Sequence, residues 1–200
     1  PRSVWQLSQQ TTQQTPVETP QNPPPVDAPV ASHVNWIDTA HFCRWLTRKY
    51  RGTDESWQCF PTDATATIQP QRQGFRLPSS DEWEIATSSG MAPNVSEAGD
   101  PQLLNFYSWF TPDATAPQPP ARKPPTPNGL FDCHGNVSEW TLDASQPGFR
   151  IHRGSSWDST PLLSLLNTSY SSPENTAATN VGLRLACTLP DNNRRPNSRK

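Results

Sequence analysis

Proline is the residue that most constrains what this chain can fold into. The chain has 24 prolines in 200 residues, and they concentrate in residues 15–30, with six, and residues 112–127, with seven. Because proline lacks a backbone N–H and has a fixed φ, these stretches cannot form helices or central strands. We therefore expect extended segments that cross the surface of a small core.

Two helices are predicted between the proline-rich stretches. The first begins at Asn35, an N-cap residue followed by an acidic first turn, and ends at Gly52. The second begins with the S-x-x-E capping box of Ser79 and Glu82 and ends near Gly90. Its buried side is expected to consist of Trp83, Ile85 and Ala86.

Short strand-like segments account for most of the remaining apolar residues. They span residues 75–77, 103–110, 136–143, 149–157 and 181–189. Only 32% of the residues are hydrophobic, but eight Trp and seven Phe each bury a large area. The pattern predicts an α+β fold with short strands and abundant loops.

Charge and cysteine usage narrow the class of protein. A net charge of −2 argues against nucleic acid as the main partner, and no apolar run approaches the ~18 residues of a membrane span. Cys43, Cys59, Cys133 and Cys187 form no CxxC pair, which favours buried, reduced thiols, with a Cys43–Cys59 disulfide as the alternative. The sequence does not identify the cellular compartment, although it slightly favours the cytoplasm.

Four segments stand in a fixed order: VNWIDTAHFCRWL, FRLPSSDEWEIA, GLFDCHGNVSEW, and RGSSW followed by NVGLRLA. This order and spacing resemble the formylglycine-generating enzyme, or sulfatase-modifying factor, family, in a bacterial branch often attached to protein kinases. The resemblance implies a C-type-lectin-like fold with two short helices, small twisted antiparallel sheets and abundant loops. The expected organisation is an N-terminal remnant and proline-rich segment at 1–30, the domain at 31–190, and a disordered basic tail at 191–200.

The stretch NGLFDCHGNVSEW predicts a cation site. Asp132 and Glu139 flank a Gly-Asn turn, and a tight loop can supply both carboxylate and main-chain oxygens to calcium. The resemblance implies calcium ligands at Asp132, Gly135, Val137 and Glu139. The alternative is a metal-free turn in which both carboxylates accept from backbone amides.

The other residues that match the family pattern are interpreted as structural. Trp140 and Trp157 are expected to be core anchors, and His134 to be a structural side chain rather than a catalytic base. Three arginines are expected to tie loop carbonyls together: Arg76, Arg153 and Arg184.

The resemblance also implies where catalytic thiols would lie. Enzymes of the family use two cysteines that bind Cu(I), eight and thirteen residues before a proline that matches Pro173. Counting back gives Leu165 and Thr160, and residues 134–186 contain no cysteine. We therefore predict no catalytic residues and no copper, with an active oxidase that has a substituted site as the alternative.

Binding is the function that this sequence favours. Residues 158–180 are rich in Ser, Thr and Asn, whose small polar groups suit adaptable hydrogen bonding, and they are expected to share a face with residues 112–127. The chain is predicted to be a binding module for a protein or small-molecule ligand, within a larger signalling protein. A variable protein of a diversity-generating retroelement is a further alternative. The candidate ligand-binding residues are Asp158, Ser159, Ser164, Asn167, Ser171, Asn175 and Asn180.

Overall fold

The computed structural model describes residues 27–61, 67–88, 105–160 and 168–189. Most of the first proline-rich stretch, Gly90, Ser164, Leu165, Asn167 and the basic tail lie outside these residues. The helices and strands are α1 (Trp36–Arg51), β1 (Phe75–Arg76), α2 (Ser80–Ser88), β2 (Ser138–Gln146), β3 (Phe149–Arg153), β4 (Ser169–Pro173), β5 (Val181–Leu183) and β6 (Ala186–Cys187). A short 3-10 helix covers Glu55–Trp57.

Both helices begin as their sequences predict. The side chain of Asn35 accepts a hydrogen bond from the backbone N–H of Asp38 at 2.8 Å, and the N–H of Gly52 donates to the Arg48 carbonyl at the end of α1. At α2 the Glu82 N–H donates to Ser79 Oγ, while the Ser79 N–H donates to Glu82 Oε2. This reciprocal pair is the predicted capping box.

The strands form two sheets. The larger sheet has the order β4-β3-β2-β5, and the smaller sheet pairs β1 with β6. Pairing is antiparallel except between β2 and β5, which are parallel, so the larger sheet is mixed rather than purely antiparallel. Residues 181–187 therefore supply one strand to each sheet.

The core lies between α1 and the larger sheet. Trp36 donates through Nε1 to the Thr141 carbonyl at 2.7 Å, and Trp140 donates through Nε1 to the Val34 carbonyl at 2.9 Å. These reciprocal bonds join the start of α1 to β2 and satisfy both buried indole N–H groups. Around them pack Phe42, Leu46, Phe60, Leu77, Val181 and Leu183.

Three expectations about local structure are wrong. Of the predicted strand at 103–110, residues 105–107 are helical, and only Trp109 makes a β-bridge, to Gly135. Ile85 is 65% exposed because the buried side of α2 consists of Ser80, Trp83 and Thr87. Trp157 is only half-buried, whereas Trp140 is completely buried as expected.

Two further expectations concern the cysteines and membrane-spanning helices. All four cysteines are free thiols in the structure, and Cys43, Cys59 and Cys133 are buried as expected, whereas Cys187 is partly exposed. Burial raises the pKa of the Cys43 thiol, and the neighbouring Cys59 adds to that shift. Among the described residues, no helix has the length and apolar character needed to cross a bilayer.

Candidate functional site

The loop from Asp132 to Ser138 leads into β2 through unusual backbone conformations. Asp132, Gly135 and Asn136 all have positive φ, at 55°, 79° and 62°. The Gly135 N–H donates to the Gly154 carbonyl, and the Asn136 N–H donates to the Trp109 carbonyl. Positive φ is costly for residues with a Cβ, so these main-chain bonds must hold the loop in place.

Asn136 connects this loop to the second proline-rich stretch. Its side-chain oxygen accepts from the Gln118 N–H at 2.9 Å, and its amide nitrogen donates to the Gln118 carbonyl at 3.3 Å. Gln118 also accepts at that carbonyl from the Val30 N–H. A fully buried amide thus supplies partners to a segment whose prolines provide few donors of their own.

Glu139, on β2, is the centre of a buried ion pair. Its Oε2 accepts from Trp83 Nε1 at 2.6 Å and from Arg184 Nε at 2.7 Å, while its Oε1 accepts from Arg184 Nη2 at 2.6 Å. Burial raises the pKa of Glu139, and the Arg184 guanidinium opposes that shift. Arg184 also donates to the Phe131 carbonyl, so its guanidinium joins the start of the loop to β2, and Trp83 joins α2 to the same carboxylate.

The other two arginines are structural as well. Arg76 donates to both carboxylate oxygens of Glu82 and to the Leu77 carbonyl. Arg153 donates to Ser80 Oγ and pairs with Glu84 at 3.1 Å. Both therefore bind α2 to the sheets.

Asp132 differs from Glu139 because only one of its oxygens accepts a well-formed hydrogen bond, although the Asn136 amide lies close enough to oppose the rise in the pKa of its carboxyl. Its Oδ2 accepts from the Ala121 N–H at 2.7 Å, whereas Oδ1 is buried with no hydrogen-bond partner in the structure. Burial raises the pKa of Asp132. An orphaned buried carboxylate oxygen is the kind of group that a bound cation would satisfy.

The donor chemistry of the loop fits calcium in part. Asp132 offers a free hard oxygen, and main-chain carbonyls lie on the same loop. Glu139 already accepts three hydrogen bonds, which leaves it less capacity for a metal. Within the described ranges, no group of three or more His, Cys, Asp or Glu side chains is arranged to hold a metal ion.

His134 and His152 are both buried away from solvent. His134 packs edge-on against Trp83 at 6.2 Å, and His152 stacks on Tyr170 at 5.5 Å and approaches Ser172 Oγ through Nε2 at 3.1 Å. Burial lowers the pKa of each imidazole to about 4. His134 therefore has the setting of a core side chain; sequence reasoning did not single out the His152 cluster.

Part of the predicted binding face comes together around Asp158. Its Oδ1 accepts from Ser156 Oγ at 2.6 Å, and both of its oxygens accept from Asn180 Nδ2. Ser159 Oγ accepts from the Ser156 N–H, and the Ser159 carbonyl accepts from the Thr111 N–H. The residue before the second proline-rich stretch therefore lies beside this turn, which we call the Asp158 cluster (Ser156, Asp158, Ser159 and Asn180).

Other candidate binding residues lie elsewhere. Ser171 is on β4, where its hydroxyl contacts Ser145 Oγ, and Asn175 is exposed in the turn after β4. Thr160, at one expected thiol position, is exposed, and Cys187 lies in the smaller sheet with its thiol on the Gln73 carbonyl. Ser156 and Thr111 contact Asp158 and Ser159, but their sequence carries no signal of this beyond their polarity.

The fold and the loop define an α+β domain of the C-type-lectin-like class. Residues 3–189 match the model of the sulfatase-modifying factor enzyme 1-like domain, and the chain belongs to that family. The predicted family and fold are thereby confirmed.

The chain is similar to proteins of several kinds, of which two bear on its function. It is 28% identical over 180 residues to the mouse (Mus musculus) inactive C-alpha-formylglycine-generating enzyme 2, in a match that covers 80% of the chain and 49% of that protein. It is 41% identical over 70 residues to serine/threonine-protein kinase pkn1 of Chlamydia pneumoniae, covering 35% of the chain and 11% of the kinase. The chain thus spans about half or less of these relatives.

A solved structure shares the fold. Treponema denticola variable protein 1 superposes with a TM-score of 0.67 at 24% identity, covering 80% of this chain and 72% of that one. At this identity the likeness concerns the fold alone.

The buried ion pair makes a prediction about stability. Glu139→Gln should lower the free energy of unfolding by about 3 kcal/mol, because it leaves the Arg184 charge buried without its partner. Glu174→Gln is the matched control, since Glu174 pairs with Arg150 at 3.1 Å and is one-third exposed. Glu174→Gln should lower the free energy of unfolding by less than about 1 kcal/mol. Urea unfolding measures both, and equal losses in the two variants would contradict the central role of Glu139.

The close approach of the Trp109 carbonyl to Gly135 predicts a second effect on stability. A Cβ on Gly135 would lie 2.1 Å from the Trp109 carbonyl oxygen, whereas a Cβ on Gly148, also at positive φ, meets nothing within 4 Å. Gly148→Ala should lower the free energy of unfolding by about 1–2 kcal/mol, because of the backbone conformation alone. Gly135→Ala should lower it clearly more, because its Cβ would also clash with Trp109. Thermal unfolding of the pair compares them, and a smaller loss for Gly135→Ala would show that the Trp109 contact yields easily.

Proposed function

We propose that this domain is a non-catalytic member of its family that acts as a binding module. The observation that carries the proposal is the residue type at the expected thiol positions. Thr160 and Leu165 have no thiol to bind Cu(I), and no cysteine occurs between residues 134 and 186. A relative that matches 80% of the chain and is itself named inactive supports this interpretation.

The context of the module is the second part of the proposal. The kinase match covers about a third of this chain and only a small share of the kinase. It supports attachment to a signalling protein, in which the domain would recognise a protein or small-molecule ligand. The ligand class then depends on the polar face rather than on a reactive group.

The Asp158 cluster supplies that face with its best-defined polar groups. Asp158 is exposed, and Ser156 and Asn180 both donate hydrogen bonds to its carboxylate. Its position beside Thr111 joins it to the second proline-rich stretch. A pre-arranged carboxylate, amide and hydroxyl set can bind a polar ligand with little loss of side-chain entropy.

Absence of oxidase chemistry is tested directly. The protein, loaded with Cu(I), is incubated in air with a peptide that contains C-x-P-x-R, and the peptide is followed by mass spectrometry. We expect the thiol to persist, because Thr160 and Leu165 stand at the two positions where enzymes of the family have thiols. Conversion of the peptide cysteine to an aldehyde would overturn the non-catalytic proposal and favour an oxidase with a substituted site.

The position of the binding face is tested by substitution, once a partner has been isolated with the full-length protein. Asp158→Ala combined with Asn180→Ala should weaken binding at least tenfold, roughly the loss of one charge-assisted hydrogen bond. The melting temperature should change little, because Asp158 is exposed. Asp81→Ala, on the exposed side of α2, is the control. Retained binding in the double variant would place the face elsewhere.

Calcium belongs to the same proposal as a structural ligand of the 132–139 loop. Asp132, Gly135, Val137 and Glu139 are the proposed ligands, and the orphaned Oδ1 of Asp132 is the main support. Calcium should raise the melting temperature after chelation, because a ligand of the native state stabilises by mass action. Asp132→Asn should remove the response to calcium. An unchanged response in that variant, or no response in the parent protein, would favour the metal-free turn.

A further inference from the structure

His152 lies at the centre of the larger sheet, between two aromatic side chains. It is 7% exposed, and its position on β3 pairs with Trp140 on β2 and with Tyr170 on β4. Its ring meets the Trp140 ring edge-on, with the centres 5.1 Å apart, and stacks on the Tyr170 ring with the centres 5.5 Å apart. The imidazole is therefore enclosed by groups from both neighbouring strands.

The two ring nitrogens of His152 have different surroundings. Nε2 lies 3.1 Å from Ser172 Oγ on β4, whereas Nδ1 is buried without a hydrogen-bond partner. A neutral imidazole fits this setting, because it carries one proton, which Nε2 can donate to the Ser172 hydroxyl. A second proton would turn Nδ1 into a buried donor that has no acceptor, which is unfavourable.

The surroundings of His152 offer no opposite charge. Within the part of the chain that the structure describes, no carboxylate pairs with His152 or accepts a hydrogen bond from it. The charged groups of the adjoining elements are bound to other partners: Glu139 and Asp143 on β2, Glu82 and Glu84 on α2, Arg150 and Arg153 on β3, and Glu174 after β4.

β4 is the strand that covers His152, and it lies at the edge of the sheet. In the order β4-β3-β2-β5, it pairs with β3 alone among the described strands. Its far end is anchored, because Glu174 pairs with Arg150 at 3.1 Å and the Glu174 carbonyl accepts from the Trp36 N–H. Residues 169–172 are held by their pairing with β3 and by side-chain contacts that include the two with His152.

From this geometry we propose that His152 is an acid-sensitive switch, which releases residues 169–172 of β4 from the sheet when its imidazole becomes protonated. A charged ring can reach water and new acceptors only by leaving its place between Trp140 and Tyr170. Opening of the edge strand uncovers it, because Tyr170 and Ser172 both belong to that strand. Ser171 would move with the strand, so acid would rearrange one of the predicted binding residues.

The direction of the shift in the pKa of His152 sets the pH range of the switch. Burial lowers this pKa from its ordinary value of 6.5 to about 4. The packed strand is therefore fully favoured above pH 6.5, and this preference is lost as the pH falls toward about 4. With an ordinary pKa for the uncovered ring, the ratio of released to packed strand should rise roughly 25-fold between about pH 7.5 and about pH 5.

Hydrogen–deuterium exchange of the full chain measures the release. Exchange of the backbone amides in residues 169–172 is compared with that of residues 138–141 on β2 at both pH values, after correction for the intrinsic exchange rates. We expect the protection of residues 169–172 to fall roughly 25-fold at the lower pH. The protection of residues 138–141 should fall clearly less, because β2 lies inside the sheet.

His152→Gln is the decisive variant, because glutamine does not titrate but its amide can still donate to Ser172 Oγ. It should remove the pH dependence of protection in residues 169–172. His41→Gln is the matched control, since His41 is exposed on α1, and it should keep that dependence. If His152→Gln unfolds more easily, an NMR titration of the parent protein replaces it. The pKa of His152 should then lie well below 6.5, and a measured pKa near 6.5 would contradict the proposal.

Three exchange results would overturn the switch. The first is equal protection of residues 169–172 at the two pH values. The second is an unchanged pH dependence in His152→Gln, which would assign the release to another group. The third is an equal loss of protection in residues 138–141, which would show that acid unfolds the sheet as a whole. No ligand enters these measurements, so the switch and the Asp158 cluster are tested independently.

Discussion

The ion pair between Glu139 and Arg184 is the interaction on which the rest of the structure depends. Glu139 lies on β2, Arg184 follows β5, and Trp83 on α2 donates to the same carboxylate. The Phe131 carbonyl accepts a further bond from Arg184, so the candidate calcium loop belongs to the same network. A buried charge pair is costly to desolvate, and the added hydrogen bonds from the indole and to the carbonyl offset that cost. The network therefore fixes the relative positions of α2, the larger sheet and the 132–139 loop.

Backbone hydrogen bonding explains how so much proline is accommodated. The proline-rich stretches provide few N–H donors, so their carbonyls and remaining N–H groups need partners from elsewhere. Asn136 supplies both a donor and an acceptor to Gln118, and Val30 donates to the same residue. Irregular chain is thus held by a few buried polar side chains rather than by a large apolar core.

The helix ends were the features of the structure that the sequence predicted best. The Asn35 cap, the Ser79–Glu82 capping box and the Gly52 end depend on neighbouring residues, and all are present. The strand expected at 103–110 was wrong because its geometry depends on distant contacts. Lys123 donates to the carbonyls of Asn105 and Ser108 and lies over the Trp109 ring. No pattern within 103–110 indicates a cation eighteen residues away, and the same holds for the pairing of Asp158 with Asn180.

The composition of the interior has a consequence for the response to temperature. Among the described residues, buried polar and charged side chains are almost as numerous as buried apolar ones, and they include Arg76, Gln58, Asn136 and Glu139. Exposure of apolar surface on unfolding raises the heat capacity, whereas exposure of polar surface lowers it. We therefore expect the heat-capacity change of unfolding to be smaller per residue than the usual value of about 12–15 cal/mol/K. A smaller heat-capacity change flattens the dependence of the free energy of unfolding on temperature, so we expect stability to fall off less steeply on cooling.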